Sequence, residues 1–310
     1  LSNKMDNSLL AVRDINHKYI VVERRQFMNY KKAIGGSVAA IITLVISQIS
    51  AQLLASAFVL LKVPAGICNI IAGILYIGIT FMLLKILVEK MFQLKLSDFG
   101  IPRFFIKGKW FLTALLLPIV IKGCYLLFIP GEYVSSEMNK EQVFQTLSAG
   151  IFFTGIAAGF VEEMVFRGII LHFIEKAWNR NVAIIVPSVL FGFVHILGMD
   201  FSVLNCLLVI LAGTMVGIMF SMIAIESNSV WNSGIVHAIW NIVIIGGGLS
   251  VGEKADAASI MTYVLNTKSF AITGGAFGME SSVIALTGYL IVTMIAFLMM
   301  RKAHGKTDHE

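Results

Sequence analysis

Stretches of mostly apolar residues alternate with short polar connections along the whole chain, and eight of them are long enough to matter. A helix needs about 20 such residues to cross a bilayer. The first runs from Ala33 to Leu61 without a charge, and the second from Gly66 to about Leu87. The others are Trp110–Ile129, Gln142–Ile174, Asn181–Met199, Phe201–Ile225, Ser229–Leu249 and Ser281–Met300. The pattern predicts an all-α, polytopic membrane protein of about eight transmembrane helices, each satisfying its own backbone hydrogen bonds. Pro118 in the third span predicts a kink, and Lys122 in the same span is expected to snorkel to the interface. In the connection Glu89–Lys109, Phe99, Ile101, Phe104, Phe105 and Ile106 interleave with basic residues. That mixture predicts a piece lying along the membrane surface. Pro130–Glu141 reads as an acidic loop, and the Gly- and Ala-rich Ser250–Glu280 as a loop or re-entrant piece.

Composition agrees with the pattern. The chain is 57% hydrophobic and 14% charged, against about 25% charged in soluble domains. The net charge of +6 sits in tails and loops, so it sets orientation and is not a nucleic-acid footprint. Lys31, Lys32, the Lys90–Lys109 cluster, Lys176, Arg180, Arg301 and Lys302 fall on one side of an eight-span arrangement. Glu132, Glu137, Glu141 and Asp200 fall on the other. Both termini are therefore expected in the cytoplasm, most simply of a bacterial cell. Cys68, Cys124 and Cys206 lie in apolar segments without a zinc or redox spacing and are expected to be free buried thiols. Gly155/Gly159 and Gly213/Gly217 are small-xxx-small pairs that favour close helix packing.

The expected organisation is an N-terminal tail over 1–32, one membrane-embedded helical domain over 33–300, and a C-terminal tail over 301–310. Residues 1–27 have two readings. They are a disordered cytoplasmic tail, or they are an upstream extension of a chain that starts at Met28, since Glu23-Arg24-Arg25-Gln26 can be encoded by a ribosome-binding sequence.

The chemistry concentrates in Phe160–Gly168, where Glu162, Glu163 and Arg167 interrupt an apolar span. A charge at the centre of a helix in lipid costs roughly 2.5–3.5 kcal/mol on insertion scales, so these groups need partners. Glu163 and Arg167 are four apart and fall on one helix face. Glu162 is rotated away by about 100°. Phe191 and His195 are four apart on the fifth span, and His237 and Asn241 on the seventh. Counted from the cytoplasmic ends, these groups lie roughly 12–21 Å deep at the rise of a helix, compatible with one shared layer. Each pair also has a purely structural reading: an ion pair, a histidine bonded to a neighbouring carbonyl, interhelical glue. His172 is expected at the interface, and His17, His304 and His309 in solvated tails.

Glu162-Glu163-x-x-x-Arg167, Phe191-x-x-x-His195 and His237-x-x-x-Asn241, in that order on consecutive hydrophobic segments, resemble the CAAX protease and bacteriocin-processing (CPBP, or Abi) family of intramembrane peptidases, which includes the type II CAAX prenyl endopeptidases. The resemblance covers about residues 90–250. It implies that Glu162 and His195 activate the attacking water, that His237 and Asn241 stabilise the oxyanion, and that Glu163, Arg167 and Phe191 support the site.

Those residue types suit peptide hydrolysis independently, which needs a base for water and donors for the oxyanion. No His-Glu-x-x-His motif is present. A zinc ion held by Glu162, His195 and His237 and a metal-free glutamate mechanism account for the same residues, the second being preferred. The implied partner is a peptide or membrane-associated protein substrate; the implied roles are maturation of such a substrate or bacteriocin self-immunity. Two other classes compete: a non-catalytic membrane scaffold regulating a sensor kinase or transport partner, and a proton-coupled transporter, against which stands the lack of an internal repeat.

Overall fold

A computed structural model describes residues 9–13, 19–23, 28–197 and 202–307. His17, Asp200, His309 and most of the expected N-terminal tail lie outside these residues, as does the side chain of His304. Within that tail, β1 (Leu9–Arg13) and β2 (Tyr19–Glu23) pair antiparallel, an element that the polar, unpatterned sequence did not suggest.

The apolar segments fold as eight helices. They are α1 (Tyr30–Leu60), α2 (Ala65–Ile86), α3 (Gly108–Phe128), α4 (Lys140–Ala177), α5 (Arg180–Val194), α6 (Val203–Ser227), α7 (Val230–Ile244) and α8 (Val283–Thr307). Six of them are long and apolar enough to cross a membrane. The exceptions are α5 and α7, of 15 residues each. The chain is an all-α polytopic membrane protein in which the two helices carrying the histidine motifs are the short ones. α5 was expected to reach Met199 and stops at Val194.

Helix ends follow local chemistry. Asn29 caps α1, and Asn179 caps α5 through a 3.0 Å bond from Val182 N. Asn139 and Gln142 form a reciprocal capping box at the start of α4. Asn228 takes a left-handed conformation (φ 53°) that turns α6 sharply into α7.

α4 is the centre of the bundle and packs on α1, α2, α5 and α7. Half of its most apolar stretch is buried, close to the 56% of α6 and far above the 22% of α1 and α8. The outer helices turn Ile34, Ile42, Leu53, Leu290 and Ile291 outward, where lipid is the solvent. The small-xxx-small glycines behave as expected. A Cβ on Gly159 would lie 2.7 Å from the Ala238 backbone, and one on Gly213 would lie 2.5 Å from Gly192 Cα. These contacts press α4 onto α7 and α6 onto α5.

Several expectations are corrected. Lys122 does not snorkel. It is 8% exposed, and its ammonium donates to the carbonyls of Val243 and, at 2.5 Å, Leu249. The last carbonyls of α7 lack helical partners, and the inward lysine satisfies that of Val243 together with the Leu249 carbonyl at the start of the strand that follows. The connection before α3 is only partly superficial: Phe99 and Ile101 are buried, while Phe104 and Phe105 are exposed. It clamps the start of α7, with Val230 N bonded to Gly100 O at 2.9 Å and Trp231 Nε1 to Pro102 O at 2.8 Å. Of the thiols, Cys68 and Cys206 are buried and Cys124 half-buried; all three are free.

The acidic loop and Ser250–Glu280 together make a three-stranded sheet. β3 (Gly131–Ser135) pairs antiparallel with β5 (Met261–Leu265), and β4 (Leu249–Gly252) pairs parallel with β5. After β5 come a short helical turn at Phe270–Thr273 and a 3-10 segment, Gly275–Ser281, that leads into α8. Gly274, Gly275 and Gly278 all have positive φ there, which lets the chain fold back against the bundle.

Candidate active site

α4 is not a uniform α-helix. Ala149–Ala157 and Met164–Ile170 are π-helical, and between them lies a six-residue α-helical piece, Ala158–Glu163. π turns widen a helix and release backbone carbonyls, and they recur at functional sites. Here they flank Glu162 and Glu163.

The two glutamates face different surroundings. The Glu163 side chain is 0% exposed, and its Oε1 lies 2.8 Å from Arg167 Nη1. Arg167, equally buried, stacks its guanidinium 4.4 Å from the Phe191 ring and 5.3 Å from that of Phe220. Aromatic faces are favourable neighbours for a desolvated guanidinium, and they compensate in part for Arg167 Nε and Nη2, which have no hydrogen-bond partner. The Glu162 side chain is 23% exposed and opens into a cavity.

His237 joins the two. Its Nδ1 lies 3.2 Å from Glu163 Oε1, and its Nε2 lies 3.8 Å from Glu162 Oε2. The imidazole stacks on Phe220 with centroids 4.7 Å apart. One turn on, Asn241 donates from Nδ2 to the Thr154 carbonyl at 2.8 Å. That carbonyl belongs to the first π segment of α4. The partner is a carbonyl, so the carboxamide orientation is fixed by the bond itself.

His195 is the residue that ends α5. Its Nδ1 lies 2.7 Å from the carbonyl of Phe191. A carbonyl only accepts, so Nδ1 carries the proton, and the lone pair of the neutral ring sits on Nε2. Phe191 thus holds three neighbours at once: its carbonyl anchors His195, its ring faces Arg167, and its edge meets His237 at 5.9 Å.

A cavity of about 310 Å³ collects these groups. Glu162, His195, His237, Asn241 and Phe191 all line it, whereas Glu163 and Arg167 stand behind the wall. Glu162 and His195 share the cavity without a hydrogen bond between them; the histidine nearest Glu162 is His237. His172 is elsewhere, partly buried at the far end of α4 with Nδ1 on the Gly168 carbonyl at 2.8 Å.

The structure adds wall residues that the sequence reading did not name: Gln48, Tyr76, Trp240, Phe277 and Glu280. Phe277 meets the His195 ring edge-on at 6.0 Å. Glu280 accepts a 2.8 Å bond from Trp240 Nε1. The available signal was a glutamate at the mouth of the last apolar span and a tryptophan beside Asn241.

The fit to a metal is poor. Among the described residues, no three His, Cys, Asp or Glu side chains are grouped to hold an ion. His195 stands apart from Glu162, so Glu162, His195 and His237 do not converge on one point.

No curated protein and no solved structure matches the chain. A family model does, over a stretch that supplies most of the residues lining this cavity. Residues 144–243, from the first turns of α4 to the end of α7, match the family described as type II CAAX prenyl endopeptidase Rce1-like.

Proposed function

We propose that this protein hydrolyses a peptide bond inside the membrane with a water activated by Glu162 and His195. The observation that carries the reading is the different exposure of two adjacent carboxylates. Glu162 opens into the cavity at 23%, while Glu163 is sealed at 0% against Arg167. One carboxylate is free to accept a proton from water, and the other is committed to holding the site. The His195 Nε2 lone pair, oriented by the Phe191 carbonyl, is suited to the same proton.

Donors for the oxyanion come from α7. The second N–H of Asn241 Nδ2 is available, because the first is bound to Thr154. His237 can add a donor only with a proton on Nε2, since Nδ1–H already faces Glu163. Preorganised donors of this kind are worth about 10²–10³ in rate each. We take the chemistry as metal-free. Chelator treatment and metal analysis of the purified protein test this: stoichiometric zinc whose removal abolishes cleavage overturns it.

The substrate is taken to be a peptide or membrane-associated protein. Both chain termini are placed on the cytoplasmic side, with the basic connections. The packing of Met28 N on Lys176 O at 3.0 Å, which sets the start of α1 beside the end of α4, supports that grouping.

The test is cleavage of a peptide library in detergent or liposomes by the wild type, Glu162→Gln and His195→Ala. Both variants lose cleavage while keeping the thermal unfolding of the wild type. Cleavage retained by either variant rejects the assignment. A partner activity that survives both changes points instead to a scaffold.

A further inference from the structure

Among the partly or wholly buried carboxylates of the described residues, Glu163, Glu175 and Glu226 each have a lysine or arginine partner. Glu163 has Arg167. Glu226 has Lys109 on Oε1 and a 2.9 Å bond from Trp110 Nε1 on Oε2. Glu280 repeats half of that second arrangement. Its Oε1 accepts from Trp240 Nε1 at 2.8 Å, and its other oxygen makes no hydrogen bond. In the place corresponding to Lys109 there is the cavity. Among the described residues its wall holds two carboxylates, Glu162 and Glu280, and neither a lysine nor an arginine.

The histidines of the cavity are near enough to act on Glu280 through space but do not bond it. His195 gives Nδ1 to Phe191, the His237 ring lies between Glu162 and Glu163, and neither bonds Glu280. A partly desolvated carboxylate is costly until a cation meets it. The rest of the wall offers apolar surface from Phe153, Phe191, Val216, Phe220 and Phe277, suited to the methylene stem of a long basic side chain.

We propose that Glu280 is a specificity residue: it forms a subsite for a cationic group of the substrate, a lysine or arginine side chain near the scissile bond. The indole of Trp240 fixes the carboxylate, and the 3-10 segment Gly275–Ser281 delivers it to a cavity lined mostly by residues 144–243. The proposal rests on the peptidase reading for the nature of its ligand.

The experiment uses the full chain in detergent and peptides that differ at one position at a time. Lysine, acetyl-lysine and norleucine are compared at each position. The wild type is expected to cleave the lysine peptide about tenfold or more faster than either neutral form at one position, the scale of a charge-assisted hydrogen bond. In Glu280→Gln that ratio falls towards one. In Glu280→Lys it inverts in favour of glutamate at the same position. The acetyl-lysine comparison needs only the wild type, so it decides even if a variant fails to fold.

Binding is read separately by calorimetry on Glu162→Gln, with and without Glu280→Gln. A lysine preference in binding with no cleavage by the wild type keeps the subsite and removes the peptidase reading. Cleavage without any basic preference keeps the peptidase and removes the subsite. An equal loss for all peptides in Glu280→Gln also overturns it, because that marks a structural role.

Discussion

Glu163 Oε1 lies 2.8 Å from Arg167 Nη1, and neither side chain has any exposed surface. Removing one member of a buried pair leaves the other charge uncompensated, at a cost of about 3–5 kcal/mol. Glu163→Gln and Arg167→Met should each lower stability by about that amount. The double variant Glu163→Gln/Arg167→Met should lose less than the sum of the two single changes. Thermal unfolding of the four proteins in one detergent checks this, and additive losses would show that the two groups are not coupled.

Asn241→Asp keeps the size of the side chain and removes its donors. A carboxylate oxygen then faces the Thr154 carbonyl that the amide now bonds at 2.8 Å. The proposed oxyanion donor is lost with it, so kcat should fall by about 10²–10³ with a smaller change in KM. Steady-state kinetics on a cleaved peptide provide the measurement. A change confined to KM would place Asn241 in ground-state binding.

Lys122→Met should destabilise the protein by about 1–3 kcal/mol for each carbonyl left without a donor. The two at stake are those of Val243 and Leu249. A lysine that reached out to the interface would be replaced without loss, so the unfolding midpoint of this one variant distinguishes the two orientations.

Gly213→Ala should lower stability by about 1–3 kcal/mol, the cost of overpacking, because its Cβ would meet Gly192 Cα at 2.5 Å. The added separation of α6 from α5 also moves the end of α5 that carries His195. Gly123 on α3 has nothing within 4 Å of a built Cβ and serves as the control: Gly123→Ala should show no loss.

What could be read from the sequence follows from what lipid punishes. Long apolar runs gave the helices, and the cost of intramembrane charge drew attention to Glu162, Glu163 and Arg167. The i,i+4 rule then paired Glu163 with Arg167, as the geometry has it. Lys122 escaped because hydropathy says that a lysine in a span needs a partner, not whether that partner is a headgroup or the frayed end of another helix. Glu280 escaped for a similar reason: a glutamate at the edge of a span looks solvated until the chain before it is folded back. The sheet was hidden because its strands are short and far apart, with Gly131 opposite Leu265. The run Met261-Thr262-Tyr263-Val264-Leu265 did carry β-favouring residues. The π segments leave no pattern in composition at all.

Those π segments make the site depend on how many residues precede Glu162, as well as on which they are. Each residue of an α-helix turns the chain by 100°, and a π turn accommodates one more residue than an α turn. Deleting a single residue from Ala149–Ala157 would let that stretch relax to α geometry with its ends still held by α2 and α7. The face of α4 that now meets the cavity could keep its place, because the deletion and the relaxation cancel. The same deletion in Ala158–Glu163, where no spare residue is stored, would swing the carboxylate away from His237. The wide turns are therefore a reserve of length, placed on both sides of the one short segment that has none.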